Sequence, residues 1–249
     1  MIRWVFLDVG NVLLDEDPLT FVCFLRHVEA VCRARPELSF DHLLAEYEAR
    51  AAAGARWPLH EIVSPILDHA TSTAVWNETD RELRSRFDEL SPVVPHAEAL
   101  VDRLANRYRL GLIANQGREC RARLNAVRLL DRFDVIAFSE ERGAYKPDSA
   151  LFELALRESG AAPAECLMVG DRLDNDTAPA ARLGLRTAWI RWPRRTAKGW
   201  APADPRAIAY RDSLERISAR AADRYHDFRP TITVDTIGEL ALAIERSGR

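Results

Sequence analysis

The chain has 249 residues, 47% of them hydrophobic, and its 35 Lys and Arg against 38 Asp and Glu give a formal net charge of −3. That is enough apolar sequence for one substantial core with a small accessory unit, and the slightly acidic balance leaves no electrostatic footprint for nucleic acid. No stretch approaches the roughly 20 apolar residues of a membrane span. Met1-Ile2-Arg3 runs directly into a strand-like segment without a signal peptide's apolar region, so a cytoplasmic protein with small-molecule partners is expected. Cys23, Cys32, Cys120 and Cys166 show no C-x-x-C spacing and read as free thiols.

In chain order, Trp4-Val5-Phe6-Leu7 is a short apolar run that reads as a buried parallel strand and ends in Asp8. From about Pro18 to Leu90 the pattern turns helical, with Phe21, Phe24, Leu25 and Val28 at helical spacing and Pro36, Gly54, Pro58 and Pro65 as breaks. Ala99, Leu100 and Leu104 then begin an alternation of helices and strands. Leu110 to Ile113, Val135 to Phe138, Cys166 to Val169, Thr187 to Ile190 and Thr231 to Val234 are the expected strands. The helices between them include one opened by Lys146-Pro147-Asp148 and one with Ile237, Leu240 and Ile244 on one face. Such alternation predicts an α/β fold with a Rossmann-like parallel sheet flanked by helices. The discontinuous core then comprises residues 1–17 and 91–249, and the helical insert 18–90 forms a cap over the sheet edge. The connection 193–229 is longer than one helix requires. It holds nine Lys or Arg against five Asp or Glu, and is assigned to the core as an extended basic segment. Arg216, Arg220 and Arg224 are expected on a solvated face, while Trp192, Arg194, Arg195, Lys198 and Trp200 lie where they could meet a substrate.

Two strand ends carry the chemistry. Asp8 ends the first, and Gly170-Asp171-Arg172-Leu173-Asp174-Asn175-Asp176 follows the fourth. Parallel strands deliver both acids to the carboxyl edge of the sheet, where open α/β folds bind ligands. Carboxylates meeting there form a hard-oxygen site suited to Mg²⁺. If Asp8 also attacks phosphorus, the arrangement describes metal-assisted phosphoryl transfer through an aspartyl phosphate.

These segments resemble the haloacid dehalogenase-like (HAD) hydrolases, in particular the phosphatases with a helical cap after the first strand, and the resemblance covers nearly the whole chain. Asp8 in Asp8-Val9-Gly10-Asn11-Val12 matches the nucleophile, Lys146 in Tyr145-Lys146-Pro147 the third motif, and Gly170-Asp171 with Asp176 the acidic fourth motif. The resemblance implies Mg²⁺ held by Asp8, the Gly10 carbonyl, Asp171 and Asp176, with Asp174 as the fallback for the last. Lys146 would neutralise nucleophile and phosphate, and Asn115 and Gln116 would bind phosphate oxygens. The implied reaction is hydrolysis of a small phosphorylated metabolite.

Two positions depart from the family pattern. Gly10 stands where a second Asp normally serves as general acid and base, and Ala114 stands where a Ser or Thr hydroxyl binds phosphate. Loss of the proton donor predicts a steep dependence on the leaving group, relieved by Gly10→Asp. Asp15 and Asp17, on the way into the insert, read as solvated hinge residues. Two other function classes fit the residues less well: a binding or regulatory protein with weakened hydrolysis, and a dehalogenase, which would have little use for the fourth-motif acids.

Overall fold

A computed structural model describes residues 1–247 of the chain. Six parallel strands form one sheet: β1 (Trp4–Leu7), β2 (Arg109–Ala114), β3 (Val135–Phe138), β4 (Cys166–Gly170), β5 (Arg186–Ile190) and β6 (Ile232–Val234), in the order β3-β2-β1-β4-β5-β6. The strand segments expected from the sequence match these within two residues at each end. β1 and β4, flanked on both sides, are wholly buried, which is why they read as unbroken apolar runs rather than alternating ones. Chain order reverses at β1. β2 and β3 continue to one side and β4 to β6 to the other, so the crevice beyond β1 and β4 is the switch point at which such sheets place ligands.

Helices cover both faces. Val5, Leu7, Leu112, Val169 and Ile190 face one apolar cluster, shared with α6 (Ala97–Ala105) and α12 (Ile237–Ser247). Trp4, Phe6, Ile113 and Met168 face the other with α9 (Ser149–Ser159). α7 (Arg118–Ala126), α8 (Ser139–Arg142) and α10 (Ala178–Arg182) complete the connections.

Between β1 and α6 the chain forms α1 (Asp17–Ala34), α2 (Phe40–Ala53), α3 (Pro58–Val63), α4 (His69–Ser85) and α5 (Phe87–Leu90). Local signals set these boundaries. Pro18 opens α1 in the first turn, the Ser39 hydroxyl caps α2 through His42 N–H at 3.2 Å, and Gly54 closes α2 in the left-handed region at φ 91°. The Asp68 carboxylate caps α4 through Thr71 N–H at 3.0 Å. This insert has an apolar cluster of its own, built from Phe21, Phe24, Val28, Val31, Leu43 and Val63.

The basic connection 193–229 behaves differently from its assignment to the core. Its helix α11 (Pro205–Arg224) packs along α2, and its Ala207 and Tyr210 belong to the insert's apolar cluster. Tyr210 lies against Phe24, Phe21 and Tyr47 with ring centroids 5.1, 5.6 and 5.9 Å away. Its arginines Arg216, Arg220 and Arg224 are exposed, as expected, but each is tied to the insert. Arg216 forks onto Glu48 at 2.9 and 2.7 Å, Arg220 approaches the same carboxylate at 3.3 Å, and Arg224 donates to the carbonyls that end α2. The apolar face of α11 and the carboxylate of Glu48 explain the placement. Periodicity marks a helix as amphipathic but does not say which surface receives it.

The two chains joining insert and sheet pair with each other, through Asp15 N–H to the Pro92 carbonyl at 2.8 Å and Val94 N–H to the Leu13 carbonyl at 2.9 Å. Beside them lies a buried ionic knot. Lys198 Nζ sits 3.1 Å from Asp15 Oδ1 and 2.6 Å from Asp17 Oδ2, and donates to Asn11 Oδ1 at 2.6 Å. Arg195 Nη1 donates to Asp17 Oδ1 at 2.7 Å. Asp15 and Asp17 are therefore buried structural charges rather than solvated ones. Lys198 and Trp192 are absorbed in the same way, the indole N–H of Trp192 reaching the Asn11 carbonyl at 2.8 Å. Trp200 packs against Phe21.

Candidate active site

Asp8 follows β1 directly, and its N–H donates to the Val169 carbonyl of β4 at 2.9 Å, so the two strand ends are fastened where their acids emerge. Asp171 follows β4, its carbonyl receiving the Trp189 indole N–H at 2.9 Å. Asp176 is brought back by a single π-helical turn, Leu173–Thr177. A β-carbon on Gly170 would come within 2.4 Å of the Asp176 β-carbon, so glycine is required there for the acid to pack. Single oxygens of Asp8, Asp171 and Asp176 all lie within 4.8 Å of one another. Asp174 stays outside the group, bonded at 3.1 and 2.8 Å to the guanidinium of Arg172.

Lys146 supplies one cation to this cluster. Its Nζ lies 2.8 Å from Asp8 Oδ1 and 2.6 Å from Asp176 Oδ1, buried on all sides. Asn115, just beyond β2, holds the lysine by its main chain: the side-chain oxygen accepts Lys146 N–H at 2.8 Å and the side-chain N–H₂ donates to the Lys146 carbonyl at 3.0 Å. The Asn115 amide is thus spent on positioning Lys146. The Gln116 amide donates to Glu16 Oε1. Asp176 Oδ2 accepts Arg172 N–H at 3.0 Å, whereas the Asp171 carboxylate accepts no hydrogen bond among the described residues.

Charge is unbalanced here. Burial raises the Asp8 pKa against the pull of Lys146, with Asp176 and Asp171 adding repulsion. Burial, then Asp176, raises Asp171 to about 6. Burial lowers the Lys146 pKa, but Asp176 and Asp8 more than reverse this and hold the ammonium charged. Three clustered carboxylates against one ammonium, with Asp171 unpartnered, are the donor set of a hard divalent cation such as Mg²⁺. Asp8, Asp171 and Asp176 could hold such an ion, which would supply positive charge beside Asp8.

A cavity of about 360 Å³ opens above these residues. Asp8, Gly10, Asn115, Gln116, Lys146 and Asp171 line its floor, while Tyr47, Arg56, Leu214 and Arg224 line the insert and α11 side. Glu16, which sequence reasoning passed over between Asp15 and Asp17, is also in the wall. Its carboxylate stands beside Gly10, 2.6 Å from the position a β-carbon would take, so Gly10→Asp meets an occupied space. Burial raises the Glu16 pKa to about 7, opposed by the Gln116 hydrogen bond and assisted by Asp171.

Comparison with known proteins agrees with this geometry. A family model described as haloacid dehalogenase-like hydrolase matches residues 2–184, and a second, HAD-hydrolase-like, matches 144–240. Phosphoserine phosphatase of Thermus thermophilus is 35% identical over 135 residues, covering 52% of either chain. A pyrimidine 5'-nucleotidase of Escherichia coli is 32% identical over 41% of this chain and 46% of its own. The chain thus spans about half the length of these two relatives. Glyceraldehyde 3-phosphate phosphatase of Pyrococcus furiosus is 25% identical over 77% of this chain and 81% of its own. Among solved structures, a haloacid dehalogenase-like protein of Agrobacterium tumefaciens superposes over 100% of both chains with a TM-score of 0.68 at 15% identity. A HAD phosphatase of Thermococcus onnurineus covers 98% of both with a TM-score of 0.62 at 21% identity; both structures bear on the fold alone. With the motif residues gathered at one sheet edge and the family match spanning most of the core, the chain belongs to the haloacid dehalogenase-like hydrolases.

Proposed function

We propose that this protein is a Mg²⁺-dependent phosphatase that hydrolyses a small phosphorylated metabolite through an aspartyl phosphate on Asp8. The observation that carries the reading is the under-neutralised cluster of Asp8, Asp171 and Asp176 around Lys146 at the floor of a cavity. A phosphomonoester brings about two negative charges toward an anionic nucleophile, so attack requires nearby positive charge. Lys146 provides part of it, in contact with Asp8 itself. Asp176 keeps that ammonium charged and aimed, and Asn115 fixes its main chain. Because the Asn115 side chain is committed to Lys146, its contribution to phosphate binding falls to the main chain after β2.

Relatives that act on phosphoserine and glyceraldehyde 3-phosphate support a small substrate, as does a cavity of about 360 Å³. Arg56 and Arg224 in the cavity wall favour a substrate with a second anionic or polar group. We place the protein in the cytoplasm, a reading supported by four free cysteines; among the described residues no helix is long and apolar enough to cross a membrane. A dehalogenase reading leaves the Asp171 carboxylate without a task. Phosphorylated metabolites, screened with and without Mg²⁺, test the proposal. Metal-dependent release of phosphate by the wild type and none by Asp8→Asn is the expected outcome, and metal-independent release would contradict it.

A further inference from the structure

We infer that Glu16 is the general acid and base of this site, delivered from the start of the helical insert into the space that the missing aspartate at position 10 would fill. The assignment rests on the phosphatase reading. A β-carbon built on Gly10 would lie 2.6 Å from Glu16 Oε2, 2.9 Å from its carboxyl carbon and 3.2 Å from Oε1. An aspartate at position 10 would hold its carboxyl carbon one bond beyond that β-carbon, so the Glu16 carboxylate already stands in the same space. It is a wall of the cavity that Asp8 and Lys146 floor.

The chain is shaped to bring it there. Asn11 takes the left-handed conformation, φ 56°, which asparagine tolerates better than most residues. Its side-chain oxygen accepts Glu16 N–H at 3.3 Å. Asp15 and Asp17, on either side, are bound to Lys198 and Arg195 in the knot, whereas Glu16 has no ion-pair partner among the described residues. Gln116, two residues beyond Ala114, donates to Glu16 Oε1 and fixes the carboxylate. Gly10 and Gln116 are therefore two parts of one arrangement: the first leaves the space and the second orients the acid that fills it.

The proton inventory closes. When the Asp8 carboxylate bonds to phosphorus, the bond from phosphorus to the ester oxygen breaks, and protonated Glu16 gives its proton to that departing oxygen. Glu16, now a carboxylate, takes a proton from a water whose oxygen attacks the aspartyl phosphate. The bond from phosphorus to Asp8 breaks, phosphate leaves, and both carboxyl groups return to their starting states.

The test uses 4-nitrophenyl and phenyl phosphate, which differ in how much their leaving oxygens need a proton, with Mg²⁺ and rapid quenching. In Glu16→Gln, steady turnover of both esters should fall by about 10² to 10⁴, because return of free Asp8 needs the base. The first turnover should divide them: a burst of 4-nitrophenolate survives, and a burst of phenol does not. Gly10→Asp in a Glu16→Ala background should regain phenyl phosphate turnover by about tenfold or more over Glu16→Ala alone. Wild-type turnover in Glu16→Gln would overturn the assignment. So would bursts preserved equally from both esters, or lost equally from both without recovery in the double variant. A wild type that turns over neither ester with Mg²⁺ would overturn the phosphatase reading and this assignment with it, which separates the two failures.

Discussion

At the site, Gly10 and Gly170 lack side chains where a carboxylate stands, Glu16 beside the first and Asp176 beside the second. Gly170→Ala puts a β-carbon 2.4 Å from that of Asp176. The overpacking should cost about 1–3 kcal/mol in a denaturation midpoint and displace the acid that holds Lys146. Gly10→Asp alone, expected from sequence to help, should instead set two carboxylates against each other and slow the enzyme, read as kcat on phenyl phosphate. Asp171 makes the opposite case. Its carboxylate supports no hydrogen bond among the described residues, so Asp171→Ala should fold normally. With Mg²⁺ at 100 times its Kd, the wild type gains about 2.7 kcal/mol of stability and the variant none, in thermal melts with and without the ion. Asp8, Lys146, Asp171 and Asp176 were legible in the sequence because strand ends and motif spacing fix them. Glu16 was not, since it reaches the site through the left-handed turn at Asn11 and lies in an acidic run whose other members are paired with Lys198 and Arg195.

Among the elements, the strands were legible because their apolar runs are buried on both faces and bounded by turn residues. The partner of α11 was not. Its amphipathic pattern is satisfied equally by sheet or insert, and Tyr210 and Arg216 decide the matter only through contacts with Phe24, Tyr47 and Glu48. Tyr210→Ala should therefore cost about 3–5 kcal/mol, measured by urea denaturation, by emptying the aromatic seam between α1, α2 and α11. The knot beside the two connecting chains has a definite pH signature. Burial raises the Asp17 pKa, but Arg195 and Lys198 overcome it and hold the carboxyl below its ordinary value. Such a group binds fewer protons folded than unfolded. It stabilises the fold above the ordinary carboxylate range, and that contribution disappears as pH falls through the folded value. Asp17→Asn should thus cost about 3–5 kcal/mol at neutral pH, with the gap from wild type closing in acid melts. Constant separation of the two curves down to acid pH would refute the assignment.

For the molecule as a whole, the reversal of strand order at β1 places Asp8 at the crevice beyond β1 and β4. The insert and α11 then wall that crevice from the far side, so residues far apart in sequence, from Tyr47 to Arg224, meet in one cavity. The α/β class and the strand order's site were readable from alternation and motif order. The cavity's upper wall was not, because it depends on how two helical units pack on each other. The most direct measurement is to quench the enzyme during turnover of 4-nitrophenyl phosphate with Mg²⁺, reduce it with borohydride, and weigh the peptide carrying residue 8. An aspartyl phosphate there is reduced to homoserine, and the account predicts that conversion at Asp8, dependent on substrate and absent without Mg²⁺. Unmodified Asp8 in an enzyme that is turning over, or conversion at another acid, would contradict it.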